Sequence, residues 1–196
     1  KTLKALEVFG KNNDLTNLGL AFNSLAMNYD RLGDFQKQHE YLLKSIEIHK
    51  KTGDIENLIL NYNNLGSNYK QKGELTEALY YYDLAFNELV GKGNSMLLAQ
   101  NLTNQANIFE ELEDFDEAEK LFLECKKICV DNQIGYGVML SNLNLGNLYR
   151  LKKQFSKSKK HLEDALSMAL EMQLRKETSL AYERLSWLNR DINDYR

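Results

Sequence analysis

LGSNYKQKGEL, residues 65–75, has close counterparts in LAMNYDRLGDF at 25–35 and LGNLYRLKKQF at 145–155, and QANIFEELEDF at 105–115 keeps the same register. A small residue recurs at Ala26, Gly66, Ala106 and Gly146, and an aromatic ring at Tyr29, Tyr69, Phe109 and Tyr149. Each step is 40 residues with no insertion. Such a period marks a stack of like units, none of which can bury its apolar face alone. Inside the second unit, Leu75, Ala78, Leu79, Tyr82, Ala85 and Phe86 recur at three- and four-residue steps. That spacing traces one face of a helix. Gly33 and Gly73 stand where a left-handed residue would end a first helix. Asp34 and Asp114 follow as N-caps of second helices, and Gly53-Asp54 and Gly93-Asn94-Ser95 repeat the signal between helix pairs. Each unit therefore reads as two helices joined by a tight turn.

The bulk numbers agree with a folded helical chain and exclude several classes. The chain has 196 residues, of which 43% are hydrophobic, with a formal net charge of -3. It is too apolar for a disordered chain, and its near-balanced charge gives nucleic acid no general attraction. Its two cysteines, Cys125 and Cys129, cannot form a disulfide framework. No apolar run approaches the ~18 residues of a membrane span. The absence of proline suits long unbroken helices.

These features resemble the tetratricopeptide repeat family over the whole chain. Its pattern is best kept in Leu65, Gly66, Tyr69, Gly73, Leu75 and Ala78. Departures are Gln38 and Ser158 in place of the second-helix Ala, Glu113 and Lys153 in place of the turn Gly, and the missing closing Pro. The unit exceeds the family's common ~34 residues, which resembles a subgroup with longer helices. The resemblance implies an all-α fold, a right-handed superhelical solenoid of helix-turn-helix repeats. The expected division is one array: a second helix over 1–12, full repeats over 13–52, 53–92, 93–132 and 133–172, and a first helix over 173–196. Starting and ending inside repeats, the sequence reads as a fragment of a larger parent. Trp187 and Leu188 do not make the polar cap that closes a natural solenoid.

Catalytic and metal signals are weak. His39, His49 and His161 lie on second helices or their ends in no catalytic arrangement, and read as solvated or capping residues. Cys125 and Cys129 have a spacing that could offer two metal ligands, but no second pair joins them. Cys125 shares its slot with Ser45, Ala85 and Ala165, so it reads as core. Gly91-Lys92-Gly93 falls at a helix-helix joint rather than after a strand, and the sequon at Asn101 falls on a helix. No enzyme activity and no cofactor is expected. An acidic run at Glu110, Glu111, Glu113, Asp114, Asp116, Glu117 and Glu119 should face a basic run at Lys152, Lys153, Lys157, Lys159 and Lys160 across one repeat boundary.

In the family, first helices line a concave groove where ligands lie. The residues matching its inward slots are Asn23, Asn63, Asn64, Asn104, Asn107, Asn144 and Asn147, with Arg31, Lys70, Arg150 and Arg184 at the edge. An amide side chain both donates and accepts, so a row of them could hold an extended peptide backbone without reading its sequence. Asparagine is a poor helix former, so its repetition in mid-helix needs a reason, and an Asn-rich composition is the competing one. The expected function is a protein- or peptide-binding scaffold, the sensory or docking module of a signalling or regulatory protein. The alternatives are a helper region of a response-regulator phosphatase and a nucleic-acid-associated regulator resting on the basic run. The expected setting is cytoplasmic, with no membrane partner. The last helix, lacking a neighbour beyond it, is expected to favour self-association.

Overall fold

The computed structural model describes Phe9 and residues 14–194. The second helix expected over residues 1–12 lies outside the described residues apart from Phe9. Among the described residues every regular element is an α-helix. In chain order they are α1 (Leu15–Arg31), α2 (Phe35–Thr52), α3 (Ile55–Gln71), α4 (Leu75–Leu89), α5 (Ser95–Glu111), α6 (Phe115–Asp131), α7 (Gly135–Leu151), α8 (Phe155–Glu171) and α9 (Arg175–Asp194).

Local chemistry sets the ends. The side chains of Asp14, Asp34, Asp54, Asn94 and Asp114 each accept the backbone N–H three residues on, at 3.1–3.2 Å. A cap of this kind is worth roughly 0.5–2 kcal/mol. Gly33, Gly53 and Gly73 supply the left-handed turns at φ 70–78°. Where glycine is absent the turn persists: Glu113, Gln133, Lys153 and Gln173 take φ 56–60° instead. The stack thus imposes the geometry on residues that resist it.

The helices fall into two compact units, one ending at Gly93 and the other starting at Asn94. In the first unit α1 pairs with α2 and α3 with α4, and α2 packs on α3. In the second, α5 pairs with α6 and α7 with α8, while α6 packs on α7 and α8 on α9. There the first helices α5, α7 and α9 also touch in succession. The result is an all-α helical-repeat fold.

The small residues of the repeat let the hairpins close. A Cβ on Gly66 would lie 2.7 Å from the Tyr82 ring, and one on Gly146 would lie 2.5 Å from Leu162. The recurring rings stack on the partner helix: Tyr29 on Tyr41 at 5.5 Å, Tyr69 on Tyr81 at 5.3 Å, and Tyr149 on His161 at 5.3 Å. In the second unit Met139, Leu143, Leu162, Ala165, Ala169, Ala181 and Leu188 form one buried cluster.

The departures from the family pattern do structural work. Gln38 accepts from Asn68 Nδ2 at 2.7 Å, and the same amide donates to the Phe35 carbonyl at 2.9 Å. Ser158 donates to the Gly146 carbonyl at 2.7 Å. Ser45 donates to the Gly19 carbonyl and receives Asn61 Nδ2 at 2.7 Å. Polar side chains in these slots tie helix to helix, with Asn61 Oδ1 and Asn68 Oδ1 left unpartnered among the described residues.

The histidines are more enclosed than the expected solvated or capping role implies. His49 is wholly enclosed, its ring 2.8 Å from where a Gly19 Cβ would sit and its Nδ1 3.3 Å from Asp54 Oδ2. Its slot is that of Leu89, Cys129 and Ala169, so the fold buries whatever occupies it. His39 and His161 are half-buried, against Tyr69 and Tyr149. Burial pushes all three histidine pKa values down.

Candidate functional site

The helical period places the expected site residues on the first helices of each unit, and the structure gives them unequal roles. In the first unit Asn63 Nδ2 donates back to the Ile59 carbonyl of its own helix at 3.2 Å. Asn64 Nδ2 lies 3.6 Å from Met27 Sδ on the neighbouring first helix. Asn23 is half-buried, with its Oδ1 enclosed and unpartnered among the described residues. Lys70, also half-buried, has an interaction within the chain. Arg31 is exposed.

In the second unit a polar network absorbs half of the row. Asn147 Nδ2 donates to Glu110 Oε1 at 3.0 Å, and Asn147 Oδ1 accepts from Arg150 Nη2 at 3.2 Å. Arg150 Nη1 also donates to Asp191 Oδ2 at 2.6 Å, with its guanidinium over the Trp187 ring at 5.7 Å. Arg184, expected at the edge, is inside the stack, donating to the Leu143 carbonyl and reaching Asn144 Oδ1 at 3.5 Å. Burial pulls its pKa down, Glu110 opposes that shift and Arg150 adds to it. Asn104 and Asn107 differ. Both are half-exposed on α5 and have no hydrogen-bond partner among the described residues. Three residues apart, they share one side of the helix.

Beside Asn104 lies a cavity of about 380 Å³ between α5, α6 and α7. Its walls are largely apolar, with Met96 and Ala99 from α5, the sulfurs of Cys125 and Cys129 from α6, and Leu140 from α7. Ile134, at the start of α7, completes one side. Cys125 Sγ donates to the Ala99 carbonyl at 3.3 Å. Burial, with the Cys125 thiol alongside, holds the Cys129 thiol well above its ordinary pKa, so it is neutral at pH 7. A second, shallower hollow of about 460 Å³ lies by Leu170, Thr178 and Tyr182.

The opposed charge runs meet. Lys152 Nζ lies 2.7 Å from Asp116 Oδ1 and 2.6 Å from Glu119 Oε2, with its side chain only 15% exposed. Tyr149 Oη donates to Glu119 at 2.7 Å. Burial pushes the Glu119 carboxyl up, but the hydrogen bonds from Lys152 and Tyr149 outweigh it and leave the pKa lowered. Among the described residues no group of three or more His, Cys, Asp or Glu could hold a metal ion, and no helix is long and apolar enough to cross a membrane. Asn101 of the sequon is fully buried.

Sequence reasoning missed the partners Glu110 and Asp191 and the cavity. The cavity did leave a trace. Asp14–Asn17 and Asp54–Asn57 are cap pairs, in which the Asn side chain donates to the Asp at 2.7 and 2.8 Å. At the same places before and in α7 stand Ile134 and Gly137.

Two family profiles, both described as Tetratricopeptide repeat, match this chain, one over residues 53–129 and the other over 20–52 and 141–171. The chain belongs to the tetratricopeptide repeat family. Solved structures repeat its fold. BtubC (BKLC) from P. vanneervenii superposes with a TM-score of 0.83 at 20% identity, covering 99% of this chain and 82% of that one. A Signal Transduction ATPase with Numerous Domains (STAND) protein with a tetratricopeptide repeat sensor, from Pyrococcus horikoshii, gives 0.78 at 20% identity, over 84% of this chain and 26% of that one. A Rap protein complexed with Competence and Sporulation Factor gives 0.71 at 12% identity, over 95% and 62%. No curated protein matches. At these identities the likeness is one of fold. The tetratricopeptide repeat fold is typically a non-catalytic scaffold for protein interactions.

Proposed function

We propose that this tetratricopeptide repeat chain is a peptide-binding scaffold, a sensory or docking module of a larger signalling or regulatory protein, and not an enzyme. Its array would comprise full repeats over 13–52, 53–92, 93–132 and 133–172, with 1–12 and 173–196 belonging to incomplete ones. The observation that carries the reading is the pair Asn104 and Asn107: two half-exposed amides on one side of α5 with no partner among the described residues. Each offers a donor and an acceptor at the spacing a helix allows for gripping backbone. Two structures of the same fold add support by their composition, one being a sensor and the other a complex with a factor. The nucleic-acid alternative loses ground because Lys152, the inner member of the basic run, is neutralised by Asp116 and Glu119.

Panning a random-peptide library on the intact chain tests the proposal. Each lost hydrogen bond is worth roughly 0.5–1.5 kcal/mol, so Asn104→Ala/Asn107→Ala should weaken a selected peptide about tenfold. The melting temperature should stay put. A failure to select any peptide, or unchanged affinity in the double variant, would count against it.

A further inference from the structure

Ile134, Gly137, Cys125 and Cys129 meet at one place in the second unit. The N-cap before α7 is Ile134, which offers no side-chain hydrogen bond, where Asp14, Asp54 and Asn94 cap their helices. The residue three further on is Gly137, in a slot where Asn17 and Asn57 complete the cap and Leu97 does not. Cys129 fills a slot held elsewhere by His49, Leu89 and Ala169, and Cys125 one held by Ser45, Ala85 and Ala165. Losing a cap weakens a helix, and so does a glycine in its first turn. Together these side chains make an apolar wall. Ile134, Cys129 and Gly137 line the cavity of about 380 Å³, within the ~300–1,000 Å³ span of ligand sites.

The cavity is not a sealed packing fault. Met96 and Tyr136 on its lining are 64% and 46% exposed, so its mouth reaches solvent. Water there would find few partners, since the lining is carbon and sulfur with Asn104, Gln100, Thr103 and the Tyr136 hydroxyl as its polar members, the last already given to Glu177. Thr103 is already spent on the Ala99 carbonyl at 2.9 Å. Poorly held water is displaced with gain by an apolar group. Asn104 belongs both to this lining and to the unpartnered amide pair, which joins an apolar hole to a backbone-binding group within one side chain's reach.

We infer that the cavity between α5, α6 and α7 is the anchor pocket for one large apolar side chain, aromatic or branched aliphatic, of a peptide whose backbone is held by Asn104. This rests on the peptide-scaffold reading and adds to it a position-specific preference. The capped amides N-acetyl-phenylalaninamide and N-acetyl-leucinamide carry that side chain with two backbone amides, and N-acetyl-glutamic acid amide is the polar control. Titrated into the chain at millimolar concentration with methyl NMR, the two apolar probes should shift the Met96, Ile134 and Leu140 methyls, and the control should not. Ala99→Leu, which fills the hole, should abolish those shifts, and Asn104→Ala should weaken them severalfold. Met96→Asp, an exposed change at the rim, should weaken them as well and guards against misfolding of the filled variant. No shift at these methyls, or the same shift in Ala99→Leu, overturns the pocket. Library peptides that bind wild type and Ala99→Leu alike overturn the pocket and leave the scaffold standing. Probes that bind while no peptide is ever selected overturn the anchor and the scaffold together.

Discussion

Asn68 and Asn104 both lie on first helices, and a difference in partners separates their energetic roles. Asn68 is fully buried, and its single amide group serves two acceptors, the Phe35 carbonyl and Gln38. Removing it leaves Gln38 Oε1 without this donor, while the Phe35 carbonyl keeps its place in the helix ladder, and a buried unsatisfied group costs about 1–3 kcal/mol. Asn68→Ala is expected to destabilise the chain by about 2 kcal/mol in urea titration. Asn104→Ala, which breaks no hydrogen bond among the described residues, should stay within about 0.5 kcal/mol. His49 supplies a pH dependence at the same scale. Burial lowers its pKa below 6.5, partly offset by Asp54, so the unfolded chain takes up the proton first as pH falls. The stability is complete above pH 6.5 and is lost as pH falls from there through the folded pKa. Urea midpoints at pH 7.5 and 5.5 should show this loss. In His49→Leu, which copies Leu89 in the same slot, the loss should shrink to what His39 and His161 contribute.

Among the elements, the turns carry the clearest strain. Glu113 and Gln133 hold φ of 60° and 56° where Gly33, Gly53 and Gly73 serve elsewhere. A left-handed L-residue costs roughly 1–2 kcal/mol, and glycine gives back about 0.4–1 kcal/mol through its freer unfolded state. Glu113→Gly and Gln133→Gly should each raise stability by about 0.5–1 kcal/mol, read as a higher melting temperature. A lower one would mean that the side chains contribute more than their backbone strain. The junction of α6 and α7 is fastened differently, by Lys152 against Asp116 and Glu119. Lys152→Met should destabilise it, because Glu119, half-hidden, would keep only Tyr149 as its donor.

At the scale of the molecule, α9 presents a face that earlier first helices cover. Tyr182 is 56% exposed, whereas Tyr62 and Leu102 in the same slot are 5% and 1% exposed. No second helix packs beyond α9 among the described residues. An apolar face of this kind favours a second copy, so the chain should self-associate and Tyr182→Arg should return it to monomer in sedimentation velocity. Trp187 is half-buried beneath Arg150 and does not lead that contact. The 40-residue register, the caps and the turn glycines were legible without coordinates, as were the small residues that let Tyr82 and Leu162 approach. Each depends on neighbours within a hairpin, whose spacing along the chain is regular. The fate of the asparagines was not legible. Asn147 and Arg150 meet Glu110 and Asp191 from positions 37 and 41 residues away, and Arg184 reaches the Leu143 carbonyl across 41. Those partners lie on neighbouring first helices, so stacking alone brings them into reach. The cavity likewise depends on how the side-chain volumes of three helices fail to fill the space between them. The sequence by itself determined the repeat, because helix periodicity and turn chemistry are local. Only the tertiary structure decided which amides stay free to bind, because hydrogen-bond saturation and packing are settled between helices.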